Sequence, residues 1–475
     1  EGGVANVQTL TGTDVIDGGA GTDSLTASYV AAVTPFSISN VENITLTDAD
    51  ASTETVNLVN VTGMDTLTLL SNTAAGDIDN IANIVTLNLT NNTVANNVDY
   101  AAAAVAGTAD AQIINLSSHT AGTLTLDAGI ESATINSNGA VTNVMTLTAT
   151  GVATVTVTGS AAFTGTFGTA ATTINASAAT GAVTINQTGA QISNVTTGSG
   201  ADTIDLSGNF VDGTTAASRD TVDGGAGIDR LILTGNEAGA IATAAEFSTI
   251  SNIETIVIDD DGDGDNVNMA LLGITTLEYD ALIGAATGII GVSGGEIQYD
   301  GADNAANAVT ITINGVATDD SFTIDINGVD AGSGARTYTG IETVNIATSG
   351  TSLMDGAHVM TATAATQAMN ISGTGSLTLG NVTADSITST MTSGTLIMGT
   401  MQQATNITGG AEAMTVVGST AGDIISGGAG IDTITSGAGN DTITLGAGAD
   451  IYIMTSNTNQ ELDVITDFVA GTDTL

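Results

Sequence analysis

The sequence has no cysteine, no lysine and no tryptophan, a single proline, and three arginines set against 50 acidic residues, for a formal net charge of -47 over 475 residues. Without cysteine there are no disulfides, thiolate nucleophiles or zinc-thiolate sites, which leaves metal bridging as the available staple for an exported protein. Without a basic face there is nothing to displace the counterions of nucleic acid, so nucleic acid is excluded as a partner. No apolar run approaches the ~18 residues of a membrane-spanning helix, and membrane insertion is not expected. The opening residues Glu1-Gly2-Gly3-Val4-Ala5-Asn6 have neither a basic region nor an apolar stretch of the secretory-signal kind. Export is therefore expected to use a signal outside this segment or a pathway that reads the C-terminal end.

High charge with low hydrophobicity would mean disorder, but 42% of the residues are apolar and only 11% are charged. Such a chain folds if its carboxylates are neutralised. Self-repulsion on this scale makes folding depend on bound cations, and oxygen-ligated divalent ions are the natural candidates.

Threonine and serine alternate with single aliphatics, as in Thr66-Leu67-Thr68-Leu69 and Thr154-Val155-Thr156-Val157-Thr158. A period of two is the signature of strands. Gly, Asn and Asp turns separate them, and only the runs 101–106 and 240–247 offer short helices. Near the C-terminus, aliphatic centres at Ile371, Leu379, Ile387, Ile397, Ile407, Val416, Ile425, Ile434, Ile443 and Ile453 recur every eight to ten residues. Two nine-residue steps make one coil of a parallel β-roll, with like positions stacked about 4.8 Å apart. The expected fold is all-β: elongated parallel β-solenoid or β-roll modules with few or no helices.

A longer repeat is also visible. Gly18-Gly19-Ala20-Gly21-Thr22-Asp23-Ser24-Leu25 is followed by Ser39-Asn40-Val41-Glu42-Asn43-Ile44-Thr45-Leu46. The same succession returns 206 residues later as Gly224-Gly225-Ala226-Gly227-Ile228-Asp229-Arg230-Leu231 and Ser251-Asn252-Ile253-Glu254-Thr255-Ile256-Val257-Ile258. A partial copy is Gly340-Ile341-Glu342-Thr343-Val344-Asn345-Ile346. These spacings suggest a first β module over 1–205, a second over 206–417, and a terminal roll with its cap over 418–475.

Chemistry is concentrated in three tandem nonapeptides, 427–435, 436–444 and 445–453, each close to x-Gly-x-Gly-x-Asp-x-Ile-x. Their glycines are Gly428, Gly430, Gly437, Gly439, Gly446 and Gly448; their aspartates are Asp432, Asp441 and Asp450. A degenerate unit over 418–426 puts Asp423 in the same register. Glycine allows positive φ and close approach of carbonyls, and aspartate supplies a hard anionic oxygen. With two units per coil, Asp423 stacks on Asp441 and Asp432 on Asp450, holding Ca²⁺ between successive coils on each side. The same spacing recurs upstream, in Asp14 with Asp23 beside Gly19 and Gly21, and in Asp220 with Asp229 beside Gly225 and Gly227; Asp202 lies eighteen residues before Asp220. These are read as shorter calcium sites, with ordinary Gly-Asp turns as the alternative for any isolated copy.

The nonapeptides resemble those of RTX proteins, and their combination with Gly-Ile-Glu-Thr-Val-Asn-Ile strands and long Thr/Ala-rich stretches resembles the RTX-type surface-layer proteins of Gram-negative bacteria. Asp463-Val464-Ile465-Thr466-Asp467-Phe468 with Gly471-Thr472-Asp473-Thr474-Leu475 resembles the segment that caps such a roll. The resemblance implies RTX calcium-binding turns, with Asp463 and Asp467 among the ligands. It also implies type I export of an unfolded chain, folding in extracellular calcium, and residence at the cell surface. The secretion signal and the cell-attachment region, including any contact with cell-surface polysaccharide, are expected outside this segment.

Weaker signals remain. Asp259-Asp260-Asp261-Gly262-Asp263-Gly264-Asp265-Asn266 fits half an EF-hand loop, but Ala270 stands at the twelfth position where a bidentate Glu belongs. Asp259, Asp261, Asp263 and Asp265 are read as a calcium loop of another kind, against a solvated acidic turn. Asp48, Asp50 and Glu54 form a poorer cluster. His119 and His358 are the sole candidates for a neutral-pH base and lie in Ser/Thr/Ala contexts without a zinc partner. Gly291-Val292-Ser293-Gly294-Gly295 lacks the strand-to-helix setting of a nucleophile elbow. Arg219, Arg230 and Arg336 are read as local ion-pair partners of nearby aspartates. The sequence therefore points away from an enzyme and toward a structural surface-layer protein whose partner is itself, bridged by multiple Ca²⁺ ions. A segment of a large adhesin or biofilm-matrix protein is the rival, and an ice-binding roll a third reading that the drifting threonines disfavour.

Overall fold

The computed structural model describes residues 8–50, 52–72, 74–189, 191–211, 213, 215–241, 243–259, 266–280, 287–299, 308–314, 319–361, 366–454 and 462–475. The chain is a parallel β-solenoid with almost no helix. Its contacts divide into two compact units, one comprising Glu1–Ile232 with Ser248–Ile253 and the other Leu233–Phe247 with Glu254–Leu475.

The first unit is built on an eleven-stranded parallel sheet running from Ser24–Tyr29 to Ile250–Ser251. A second sheet runs from Glu54–Asn57 to Arg230–Leu233, and a three-stranded one joins Val15–Asp17, Ser37–Ser39 and Val61–Thr62. The alternation seen in sequence is what places the residues. Ile44, Leu67, Leu87, Ile114, Ile135 and Val157 are register partners from coil to coil and are all buried. Each buried aliphatic of this column contributes about 1.5–3 kcal/mol, and stacking shares the core across coils that could not bury it singly. The residues between them point outward and form a polar ladder. Asn88 donates to Thr68, Asn115 to Asn88 and Asn136 to Asn115 at 3.1, 2.8 and 2.7 Å, and Thr158 donates to Asn136.

The second unit has one long parallel sheet, from Thr255–Ile258 to Val464–Ile465, and two six-stranded sheets. Its inward column runs Val344, Met369, Ile387, Ile407, Ile425 and Ile443. Two expected strand centres are corrected. Ile397 and Ile453 are 43% and 45% exposed, and Leu396, Met398 and Tyr452 fill the core instead. In a run of three apolar residues, composition does not reveal which phase of a two-residue period faces inward.

The helices also fall elsewhere than expected. Residues 101–106 form a turn closed by Ala104 N–H donating to Ala101 C=O at 2.7 Å, six residues being too few to offset helix nucleation. The expected 240–247 helix lies upstream, at Gly235–Ala240. There Thr234 and Glu237 form a capping box, and Ile241 ends the helix in extended conformation. A one-turn helix at Met269–Leu272 ends on Gly273 in the left-handed region.

Candidate calcium edges

Where a coil turns into a strand, the first amide points at the next coil without a strand carbonyl to receive it. Acidic side chains answer this need in both units. In the C-terminal roll Thr405 N–H donates to Asp423 Oδ1 at 2.7 Å and Asp423 N–H to Asp441 Oδ1 at 2.8 Å, each 18 residues on. Asp441 N–H then donates to Asp463 Oδ1 at 3.2 Å. On the other edge Met414, Asp432 and Asp450 N–H donate to the Oδ1 atoms of Asp432, Asp450 and Asp473 at 2.7, 2.8 and 3.3 Å. The structure thus brings the aspartates of the three nonapeptides into two columns, with eighteen residues per coil.

In Asp423 both oxygens are spent on the fold, Oδ2 accepting from Ser419 N–H at 2.6 Å, but in the three nonapeptide aspartates only one is. Oδ2 of Asp432, Asp441 and Asp450 is buried without a hydrogen-bond partner. Buried anions of this kind are costly unless a cation neutralises them. Burial pushes Asp432 up to about 6 against the opposing Met414 amide, helped by the charges of Asp450 and Glu412. Burial likewise pushes Asp441 up to about 6 against the Asp423 amide, helped by Asp463 and Asp423. Asp423 is raised by burial despite amide bonds from Ser419 and Thr405.

The loops between strands supply carbonyls at close quarters. Gly428, Gly437, Gly439, Gly446 and Gly448 have φ from +95° to +157°, open to glycine and strained for other residues. Gly430 does not; its glycine is required because a Cβ there would stand 1.8 Å from the Glu412 carbonyl oxygen. An all-oxygen donor set of carboxylates and loop carbonyls fits a hard ion such as Ca²⁺. Asp423, Asp432, Asp441 and Asp450 with the glycine loops are the residues that would hold it, and the ion would cancel the columns' charge. Asp463 and Asp467 serve the cap: Asp463 Oδ2 accepts from the Tyr452 hydroxyl at 2.7 Å, and Asp467 accepts from Leu445 and Gly446 N–H at 2.7 and 2.9 Å.

Upstream the pairing departs from an eighteen-residue rule. Asp202 accepts from Val183 N–H, and its own amide donates to Asp229 Oδ1, 27 residues on. Asp220 accepts from Ser193 and Val211 N–H. Asp202 therefore stacks on Asp229 and not on Asp220, because the excursion after Asp205 lengthens that coil. In the first block Asp14 caps its own turn, accepting from Thr11 N–H and Oγ, while Asp23 N–H donates to Glu42. Gly19, Gly21, Gly225 and Gly227 all have positive φ. The 206-residue repeat has a shared geometry: Asp17 accepts from Gly19 N–H and the Asn40 amide, and Asp223 from Gly225 N–H and the Asn252 amide.

Several acids of the ladders lie outside the nonapeptide motif. Glu42, Glu131 and Glu342 accept from the amides of Asp23, Asp110 and Asp320 at 2.7, 2.6 and 3.0 Å, and Asp385 from Gln367 at 2.9 Å. They stand one residue before a strand, the place the nonapeptide aspartates occupy, so the acid-before-strand pattern is the signal. Asp77, Asp79 and Asp99 also bring carboxylate oxygens within 4.8 Å of one another on an outward strand face. Asp50 N–H donates to Asp48 Oδ1 at 3.2 Å, and Asp48 is buried. Asp259 lies at an exposed strand end; Asp261, Asp263 and Asp265 fall outside the described residues.

The histidines sit in the core. His119 is buried and pushed down to about 4 by desolvation. His358 is likewise pushed down to about 4, its ring bonded to the Tyr338 hydroxyl at 2.9 Å and the Met354 carbonyl at 3.0 Å. Ser293 lies in a turn between strands Thr287–Gly291 and Gly295–Tyr299. Arg336 corrects the ion-pair expectation: its guanidinium donates to the carbonyls of Ala331, Gly332 and Gly334 and lies 5.8 Å from the Tyr299 ring centroid.

These edges define a calcium-binding β-solenoid. Comparison with protein families agrees: residues 2–28, 215–232 and 417–452 match the RTX calcium-binding nonapeptide repeat, in four copies. RTX repeats bind calcium and point to a secreted, extracellular protein. No curated protein matches the chain. No described helix is long and apolar enough to cross a membrane.

Proposed function

We propose that the chain is a structural protein of a calcium-dependent surface layer on a Gram-negative cell, and that it catalyses no reaction. The observation that carries the reading is the pair of columns of buried carboxylates with oxygens unsatisfied by the protein, in a chain of net charge -47. At cytosolic calcium such columns repel and weaken the fold, which favours export of the unfolded chain. Outside the cell, calcium near 10⁻³ M suits module-type sites with dissociation constants of about 10⁻⁴ to 10⁻³ M. Folded protomers carrying about one negative charge per ten residues still repel edge to edge, and Ca²⁺ between copies turns that repulsion into adhesion. Coils that vary in length, in place of near-identical tandem domains, favour a layer over an adhesin.

The test is light scattering and electron microscopy of the protein in NaCl, MgCl₂ and CaCl₂ at matched ionic strength. Monovalent salt screens but does not bridge, and Mg²⁺ demands a tighter octahedral shell than carbonyl-rich loops provide. Ordered sheets in calcium alone are expected. Equal assembly in all three salts would remove the calcium bridge, and isolated particles in every condition would favour the adhesin.

A further inference from the structure

We propose that Glu412 is a calcium ligand in a site one coil upstream of the matched C-terminal repeats, taking the place of an aspartate that this coil lacks; the inference rests on the reading that the roll's edges hold calcium. Strand register pairs Thr415 with Thr433, and Met414 N–H donates to Asp432 Oδ1. Gly409-Gly410-Ala411-Glu412-Ala413-Met414 therefore lies against Gly427-Gly428-Ala429-Gly430-Ile431-Asp432. Two positions differ in character. The sixth, an aspartate in the repeats, is Met414, which is buried in the core. The fourth, a glycine in the repeats, is Glu412. The loop has lost one carboxylate and gained another two residues earlier.

Glu412 does not use its length to reach water. It is 1% exposed, and its Oε1 accepts from Gly410 N–H at 3.2 Å. Its Oε2 is buried with no hydrogen-bond partner. Asp432, on the next coil, is 0% exposed and has its Oδ2 in the same condition. The two charges repel each other. The cradle is tight: a Cβ on Gly410 would stand 2.6 Å from Glu412 Oε2, and one on Gly430 1.8 Å from the Glu412 carbonyl oxygen. Two buried carboxylates on adjacent loops, each with one oxygen committed to the backbone and one uncommitted, need a cation between them. Oxygen donors alone select a hard ion, and the loop carbonyls complete an irregular shell that Ca²⁺ tolerates. The calcium column thus begins one coil before the first C-terminal repeat that sequence motifs detect.

The experiment counts ions on the full chain by native mass spectrometry across a CaCl₂ titration. Circular dichroism monitors folding. Glu412→Gln keeps shape and the Gly410 bond but removes the charge, and is expected to bind one Ca²⁺ fewer than wild type. The double variant Glu412→Gly with Met414→Asp restores the repeat pattern and is expected to recover the wild-type count. Glu412→Gln with a full complement of calcium at unchanged affinity would overturn the proposal, since a protonated Glu412 would then suffice. Should Glu412→Gln fail to fold, the double variant decides: the wild-type count supports an exchangeable carboxylate, and one ion fewer overturns it. Wild type binding no calcium at all would fail in a different way, removing the calcium reading of both edges.

Discussion

The amide of Asp432 donates to Oδ1 of Asp450 at 2.8 Å, while Oδ2 of that same carboxylate is buried without a partner. The first oxygen fixes the distance and direction between coils; the second is aimed and unsatisfied. Fold and ion site therefore share one side chain, and a substitution can separate the two roles.

Asp432→Asn keeps an oxygen for the Met414 amide and replaces the ion-facing oxygen by a neutral group. At pH 7.5 in EGTA this variant is expected to be more stable than wild type, because a buried charge is gone. In millimolar Ca²⁺ the order reverses, with calcium affinity at that site at least about tenfold weaker, or about 1.4 kcal/mol. Asp432→Ala loses the Met414 bond as well and should fall below Asn in both conditions by about 1–3 kcal/mol. Thermal melts of the three proteins with and without calcium check this; parallel shifts without a crossover would contradict the division of roles.

In the calcium-free roll, Asp432 and Asp441 titrate near 6, above the 3.8 of an unperturbed aspartate, chiefly through burial. Their folded-state affinity for protons exceeds the unfolded one. Their contribution to stability is thus fully present at pH below about 4 and is lost as pH rises through 6. Calcium prefers the ionised form, so binding at pH 5.5 releases protons and binding at pH 8 does not. Calorimetric titrations in buffers of different ionisation enthalpy measure that release. His119 and His358, held near 4, work in the opposite sense, their contribution being lost as pH falls from about 6.5 through 4.

Much of this was legible in the sequence, for physical reasons. Thr66-Leu67-Thr68-Leu69 reads as a strand because a pleated chain alternates faces, and it lies in the strand Thr66–Leu70. The eighteen-residue coil at the C-terminus follows from turns of fixed length, the three nonapeptide loops carrying the same glycines. Upstream, corner lengths vary, and spacing loses its meaning. Asp202 finds Asp229 across 27 residues because register is set by stacked aliphatics such as Ile204 on Leu231, not by counting between acids. Glu42 and Glu342 were visible as markers of a returning strand. Their service to amides of the preceding coil was not, since that role depends on which residue the register sets beneath them. Glu412 sits at a motif's glycine, where pattern reading sees a mismatch and not a ligand.

Close packing of the loops gives a sharper test than removal of charge. Gly430→Ala places a methyl 1.8 Å from the Glu412 carbonyl oxygen, so backbone must move on two coils. A cost of about 1–3 kcal/mol is expected, together with weaker calcium binding. Gly168→Ala, where a Cβ meets nothing within 4 Å, is the control. It should be neutral or stabilising by about 0.4–1 kcal/mol through the unfolded chain. Equal effects from the two, measured by urea denaturation in CaCl₂, would mean that the loops are not held in contact.

Arg336 should behave independently of calcium, which makes it the reference for the others. It is among the largest fully buried side chains, and its charge is met by the carbonyls of Ala331, Gly332 and Gly334 and by the face of Tyr299. A planar fork reaches several carbonyls of one loop at once; a single ammonium on a flexible stem does not. Arg336→Lys is therefore expected to cost about 3 kcal/mol or more, because buried acceptors lose their donors while a buried charge remains. Arg336→Met removes the charge but strands the same carbonyls, and should cost about 1–3 kcal/mol, less than lysine. Both losses should have the same size in EGTA and in CaCl₂, since no acid of either calcium column touches this guanidinium among the contacts described. Urea unfolding of the two variants in each condition checks the point. A loss that shrinks in EGTA would show that the Arg336 loop and the calcium edges share one cooperative equilibrium.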